Sequence, residues 1–344
     1  MAPRITKPIN LALQGGGAHG AFTWGVLDRL LEDGRLRIAG LSGTSAGAMN
    51  AVALAAGFVE AGPDGARAAL ERFWREVSNA ALLSPFKRTP IDMFMGNWSL
   101  SNSPAYHVSD ALTRTFSPYQ FNPLNLNPLR DMLEASIDFD RVRACTAFDI
   151  YISATNVETG RVKVFDREEL TPDMVMASAC LPFLYQAVEI DGVPYWDGGY
   201  MGNPSLFPFH NQSACSDIVI VQINPIERKG TPQTAHDIQN RVNEIAFNAS
   251  LLKELRSIAF VGKLIDEGKL SVKDYRQQRL HLIENQSALM PLGAPSKLNA
   301  EWAFLCHLRD LGRETGTLWL KRNATKVGKQ STVDIRKMFQ GSAP

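Results

Sequence analysis

The chain opens on two short apolar runs, each followed by a helical repeat. Residues 9–13 (INLAL) are mostly apolar and read as a buried strand. In 20–31, Phe22, Val26 and Leu30 recur near helical spacing, which predicts a helix. Residues 37–42 read as a second strand. Residues 46–58 are small and apolar almost all round, the mark of a fully buried helix. Strand, helix, strand, helix begins an α/β layered sheet with parallel strands.

The pattern then loosens. Residues 66–77 form an amphipathic helix. Residues 82–104 are rich in Pro, Phe, Met, Trp and Asn and read as an irregular, partly apolar insertion. A helix is expected over 106–116 and a loop over 118–128. Residues 146–165 read as strand, turn, strand around Glu158–Arg161. Thr171-Pro172 opens a short helix, 171–179. Asp191-Gly192 makes a hairpin turn, and Val193–Trp196 runs into Asp197-Gly198-Gly199. Residues 217–224 (DIVIVQIN) are the clearest buried strand. One or two long helices span 234–264, with Ile238, Val242, Ile245, Leu252 and Ala259 on one face. A late strand is expected at 280–283, then a helix over 300–311 carrying Trp302, Leu305, Leu308 and Leu311. From Lys321 onward six basic residues face one acid, Asp334. No internal repeat interrupts this order.

Composition changes little in the picture. Of 344 residues 45% are apolar and 21% charged, ordinary for a globular chain, and the formal net charge of +1 argues against a nucleic-acid binder. Cys145, Cys180, Cys215 and Cys306 are widely spaced, with no CxxC or Cys/His ligand pattern, so reduced thiols are expected and structural zinc is not. Only five residues separate Pro8 from Gln14, too few for a signal-peptide apolar region, and the run near 51–59 is far short of the ~20 residues of a membrane span. A soluble, cytoplasmic protein is expected.

The chemistry gathers at two strand ends. Gly43-Thr44-Ser45-Ala46-Gly47 is a Gly-x-Ser-x-Gly motif between a strand and a helix of small residues, the setting that exposes a serine nucleophile on a sharp bend. Gly15-Gly16-Gly17-Ala18-His19-Gly20 has two readings. It matches G-x-G-x-x-G after a strand, so it could hold a dinucleotide. That reading expects an acid at the end of the second strand, where the chain has Ser42-Gly43-Thr44. The other reading is a loop whose backbone N–H groups meet a developing oxyanion. A serine nucleophile needs a base. His210, His236, His281 and His307 follow Asp197, but none sits in a recognisable loop after a terminal strand. Asp197 ends an apolar strand before two glycines that permit close approach. With an ordinary carboxyl pKa of about 3.9 it would be ionised at neutral pH. The same Asp-Gly also fits a plain hairpin turn.

With these three motifs in this order, the chain resembles the patatin-like phospholipase family. The likeness runs from Ile9 to Pro208, supported by Ala177–Pro182 and Asn203-Pro204. It implies a three-layer α/β/α fold with a mainly parallel sheet, and a division into a core (1–208), the rest of the α/β body with a helical extension (209–320) and a basic tail (321–344). It implies hydrolysis of acyl esters in phospholipids or related lipids by a Ser45–Asp197 dyad, with no catalytic histidine, metal or cofactor. Backbone N–H groups of Gly15, Gly16, Gly17 and Ala18 would form the oxyanion hole, with Gly20, Gly43, Gly47, Gly198 and Gly199 as supporting motif positions. The family often has Arg or Lys where this chain has His19, a side chain fully charged only below about pH 6.5. Residues 296–313 are similar to an extension on a bacterial subset, a likeness that assigns no chemistry. The basic tail suits peripheral contact with an anionic membrane or a solvated, disordered end. Candidate walls for an acyl chain are Ile91–Leu100 and Leu181–Tyr185, each also readable as satellite core. The same dyad could cleave thioesters or storage polyesters; a nucleotide-binding protein and an inactive lipid-surface scaffold are the readings of other classes.

Overall fold

The computed structural model describes residues 6–82, 84–211 and 213–341. Among them, eight strands form one sheet: β1 (Lys7–Leu13), β2 (Leu36–Gly43), β3 (Asp149–Asn156), β4 (Val162–Asp166), β5 (Val188–Ile190), β6 (Val193–Asp197), β7 (Asp217–Val221) and β8 (Arg279–Ile283). The hydrogen-bonded order is β5-β6-β3-β2-β1-β7-β8, with β4 added to β3. The sheet is mixed. It is parallel from β3 through β2, β1 and β7 to β8, and antiparallel where β3 meets β4 and β6 and in the β5–β6 hairpin.

Alternate residues of the central strands feed two separate cores. Leu11, Leu13, Val219 and Val221 join one cluster, and Ala12, Ile218 and Ile220 join the other. A sheet buried on both faces needs apolar side chains at both parities, which is why these strands read as nearly continuous apolar runs. Helices on both sides complete the three-layer α/β/α arrangement, with a helical C-terminal region.

On the first face lie α1 (Gly20–Asp33), α2 (Ala46–Ala80) and the Trp302–Asn323 helix. α2 breaks at Ala61 and Gly62, just before Pro63, as the two expected helices require. The C-terminal helix lies so close to α1 that a Cβ on Gly312 would stand 2.1 Å from the Phe22 carbonyl oxygen. It runs twelve residues past the expected end at 311, burying Trp319 and Leu320 as well as Leu305 and Leu308.

On the second face lies the Ala235–Asp266 helix. Leu251, Leu255 and Ile258 are buried there, but Ile238, Val242 and Ile245, expected on the inner face, are exposed. The inward side of that half is taken by an ion-pair cluster, in which buried Glu244 binds Arg228 at 2.7 Å and Arg241 at 3.1 Å. The tail is folded as far as it is described: Asp334 caps the Ile335–Gln340 helix, and Ile335, Met338 and Phe339 pack on the second core. The expected loop 118–128 contains one helical turn, Pro118–Phe121. The 82–104 insertion contains a capped turn, Pro90–Phe94, whose Ile91, Met93 and Phe94 face solvent.

One register brings the chemistry together. β3 pairs with β4 on one flank, at Ile152↔Phe165 and Ala154↔Lys163. On the other flank Ile152 pairs with Gly43 of β2 and Ala154 with Asp197 of β6. β2 runs parallel to β3 and β6 antiparallel, so their C-terminal ends meet head to head two β3 residues apart, roughly 7 Å along the strand.

Candidate active site

Ser45 stands on the turn out of β2, with φ 54° and ψ −122°, as the N-cap of α2. A non-glycine residue in this region costs on the order of 1–3 kcal/mol and persists only where its surroundings hold it. Here Thr44 N–H donates to Leu13 O at 3.3 Å, Thr44 Oγ1 donates to Gly202 O at 2.5 Å and Gly47 N–H donates to Thr44 O at 2.8 Å. The Ser45 N–H donates to Ser178 Oγ at 2.9 Å. The elbow also needs α2 pressed against β1, because a Cβ on Gly47 would lie 2.2 Å from Leu13 O. Gly47→Ala is therefore expected to destabilise the fold by about 1–3 kcal/mol in urea unfolding, an effect absent if the helix can step back freely.

Asp197 is buried to 1% exposure. Its Oδ1 accepts from Gly199 N–H at 2.6 Å, and the Ser45 hydroxyl lies near enough to the same carboxylate to favour its ionised form. The backbone is pinned on both sides: Asp197 N–H donates to Cys180 O and Thr155 Oγ1 donates to Asp197 O, each at 2.8 Å. Burial raises the carboxyl pKa to about 7, against the lowering effect of Gly199 N–H, the Ser45 hydroxyl and the Lys297 ammonium. The ordinary carboxyl value expected from sequence is thus replaced by one that titrates near neutrality.

The glycine loop lies beside the elbow. Gly15 N–H is already committed, donating to Asn203 Oδ1 at 2.7 Å. Gly16 and Gly17 N–H have no protein acceptor among the described residues. The loop's base is a buried amide network. Gln14 Oε1 accepts from Ile223 N–H at 3.0 Å and Asn224 N–H at 2.9 Å, and Asn224 Nδ2 donates to Gly15 O at 2.6 Å. These contacts turn residues 222–224 away from β7, which ends at Val221 rather than at 224. His19 is buried at 2% exposure, and its Nε2 lies 2.7 Å from Ser296 Oγ. The Ser296 proton goes to Gly293 O at 2.9 Å, so His19 Nε2–H is the donor. Burial first, then the nearby Lys297 charge, lower the His19 pKa to about 3, so the side chain whose role the sequence left open is a neutral clamp.

Of the histidines considered as bases, His281 and His307 have partners elsewhere. His281 Nε2 is 3.0 Å from Asp217 Oδ1, with Nδ1 3.0 Å from Thr332 Oγ1. His307 stacks on Trp98. His210 is half-buried on the far side, beside the Ala235–Asp266 helix. The His236 side chain lies outside the described residues. Asn203, Ser178, Asn224 and the Ser296-Lys297 pair were not predicted as site residues. The first two fall in stretches that supported the resemblance, but nothing local marks the others.

A cavity of about 630 Å³ is lined by Phe116, Thr155, Pro182, Phe183, Trp196 and Tyr200, and neither Ser45 nor Asp197 lines it. Leu181–Tyr185 thus contributes a wall, whereas Ile91–Leu100 is exposed at Phe94 and anchored through Trp98, which stacks on Phe304. All four cysteines are free thiols. No helix among the described residues is long and apolar enough to cross a membrane, and no group of three His, Cys, Asp or Glu side chains among them could hold a metal ion.

Two solved structures are similar in outline. VipD from Legionella pneumophila aligns over 90% of this chain and 67% of its own, at 16% identity and TM-score 0.36. The ExoU–SpcU complex of Pseudomonas aeruginosa aligns over 94% of this chain at 15% identity and TM-score 0.37. This chain spans 52% of that partner's length. No curated protein matches. The model of the family described as patatin-like phospholipase matches residues 11–210, more than half of the sequence and all three glycine-bearing motifs. The chain belongs to the patatin-like phospholipase family.

Proposed function

We propose that the protein is a serine acyl hydrolase that cleaves acyl esters of phospholipids or related lipids with Ser45 and Asp197. The observation that carries this reading is the juxtaposition of Ser45, on a left-handed elbow at the end of β2, with the buried Asp197 carboxylate at the end of β6, whose pKa lies near neutrality. An isolated serine hydroxyl is a weak nucleophile, and a base near ambient pH is the most effective partner for it.

Ser45 Oγ attacks the ester carbonyl as its proton passes to Asp197. The tetrahedral oxyanion lies against Gly16, Gly17 and Ala18 N–H, with the positive end of α2 behind Ser45. Gly15, expected among the donors, serves instead to fix the loop on Asn203. Collapse expels the alcohol, which takes the proton from Asp197. Asp197 then takes a proton from a water that attacks the acyl carbonyl; the bond between the acyl carbon and Ser45 Oγ breaks, the acid leaves, and the proton returns from Asp197 to Ser45 Oγ. The acyl chain is assigned to the cavity at Phe183 and Trp196, whose Thr155 wall hydrogen-bonds the Asp197 backbone. Exposed Phe183, Val242 and Ile245 favour peripheral contact with a lipid surface.

A fluorophosphonate probe tests the nucleophile, and mass spectrometry of phospholipid vesicles after incubation tests the substrate. Expected are a single adduct on Ser45 and release of fatty acid with lysophospholipid. His210→Ala and His307→Ala are expected to keep both. Folded protein that takes no label at Ser45 overturns the reading, and a dead histidine variant that remains folded replaces the dyad by a triad.

A further inference from the structure

The family match ends at residue 210, yet the glycine loop is clasped from far beyond it. A Cβ on Gly17 would stand 2.5 Å from the Lys297 carbonyl oxygen and 3.3 Å from the Lys297 Cβ. Beside it, His19 donates to Ser296. The Lys297 ammonium donates to Asn224 Oδ1 at 2.7 Å, and the Nδ2 of that same amide donates to Gly15 O at 2.6 Å. Asn224 Oδ1 would be 3.6 Å from a Cβ on Gly16. The ammonium therefore sits directly behind the loop.

Lys297 is desolvated, and among the described residues no carboxylate pairs with its Nζ. Glu244, the acid that acts on it most, is already bound to Arg228 and Arg241. Its other acidic neighbour is Asp197. A half-buried cation whose ammonium has no carboxylate partner is costly, so its retention at the point where an anion would form calls for a role.

We propose that Lys297 is a positioning residue of the hydrolase: through Asn224 it fixes the glycine loop, and its charge favours both the ionised form of Asp197 and the oxyanion on the loop. This rests on the acyl-hydrolase reading above. The titratable and charged groups facing Asp197 are Ser45, Cys180, Tyr200 and Lys297. Those facing Lys297 are Glu244, Arg228 and Asp197, with neutral His19 held one residue away on Ser296.

The sign of the effect follows. Lys297 lowers the Asp197 pKa from where burial alone would put it, so loss of the charge lets that pKa rise. Activity needs ionised Asp197, so the acid limb of the kcat/KM profile must move to higher pH.

The test compares Lys297→Gln, which keeps a donor toward Asn224 without the charge, with Lys297→Met and Lys297→Arg. Gln and Met are expected to shift the acid limb upward by about half a unit or more. They should also lower kcat by about tenfold, less than the loss of a direct oxyanion donor, with KM unchanged. Arg should restore the limb. A folded Gln or Met protein with an unmoved limb overturns the proposal. A second measurement does not need turnover: carboxyl ¹³C NMR titration of the aspartates, with Asp197 assigned through Asp197→Asn. An Asp197 titration that is the same in wild type and Lys297→Gln overturns the proposal even in an inactive protein. Failure of the fluorophosphonate to label wild-type Ser45, by contrast, removes the hydrolase reading itself.

Discussion

Ser45→Ala is expected to lower phospholipid turnover by about 10⁶-fold, the scale on which loss of a serine nucleophile is felt, while the protein stays folded. The structural half of that expectation comes from the cap. Ser45 occupies the N-cap of α2, but its side chain makes no capping hydrogen bond, so the methyl loses nothing that holds the helix. The strained backbone is held by Thr44, Gly47 and the Ser178 hydroxyl, none of which needs the Ser45 oxygen. Fatty-acid release at saturating substrate and a thermal melt followed by circular dichroism check the two halves together. Turnover within tenfold of wild type in Ser45→Ala protein would place the chemistry elsewhere.

Asp197→Asn is expected to lower kcat by about 10⁴-fold, the upper end for loss of a general base, because the amide can accept a hydrogen bond but not the proton. Its pH behaviour separates this from a packing defect. In the wild type, kcat/KM should rise with pH through about 7 as the buried carboxyl ionises. The small residual activity of the Asn variant should show no such limb. Stability supplies a second sign. The folded pKa is raised above the unfolded value of about 3.9, so the ionised group costs folding free energy increasingly from pH 4 until it is fully charged above 7. Asn carries no charge to bury. The variant's melting temperature should therefore gain on that of the wild type as pH rises across this window, even as activity is lost. A variant that melts lower at every pH and keeps an acid limb near 7 would remove Asp197 from the role of base.

Much of this architecture was legible along the chain. The parallel centre of the sheet followed from apolar runs alternating with helical repeats, and Ser45 and Asp197 stood out because tight turns next to glycines are written locally. What could not be read is what depends on register. Nothing in the sequence says that β6 takes over the flank of β3 where β2 stops, yet that pairing sets Asp197 facing Ser45. Burial inverted one expectation, since Asp197 titrates near 7 instead of near 4, and it decided what the sequence left open, that His19 is neutral. The apolar stripe at Ile238, Val242 and Ile245 misled because periodicity reports a face without saying what meets it, and Glu244 with its two arginines holds the inner side. Lys297 was invisible for a related reason: its role is conferred by a contact 73 residues away in sequence, through Asn224.

The order in which the ribosome delivers these parts has a consequence of its own. The serine and the aspartate emerge within the first two hundred residues, but Gln14 waits for Asn203, Asn224 and Asn248, and the glycine loop waits for Ser296 and Lys297. At about 5–20 residues per second, the hundred residues from Asp197 to Lys297 take several seconds or more to appear. During that interval a nascent chain carries Ser45 and Asp197 without the contacts that fix the glycine loop. Closing contacts of such long range is also the slow part of folding. Residues 14–19 and 296–297 thus act as a timing device, in which the glycine loop is fixed only once residue 297 has been made.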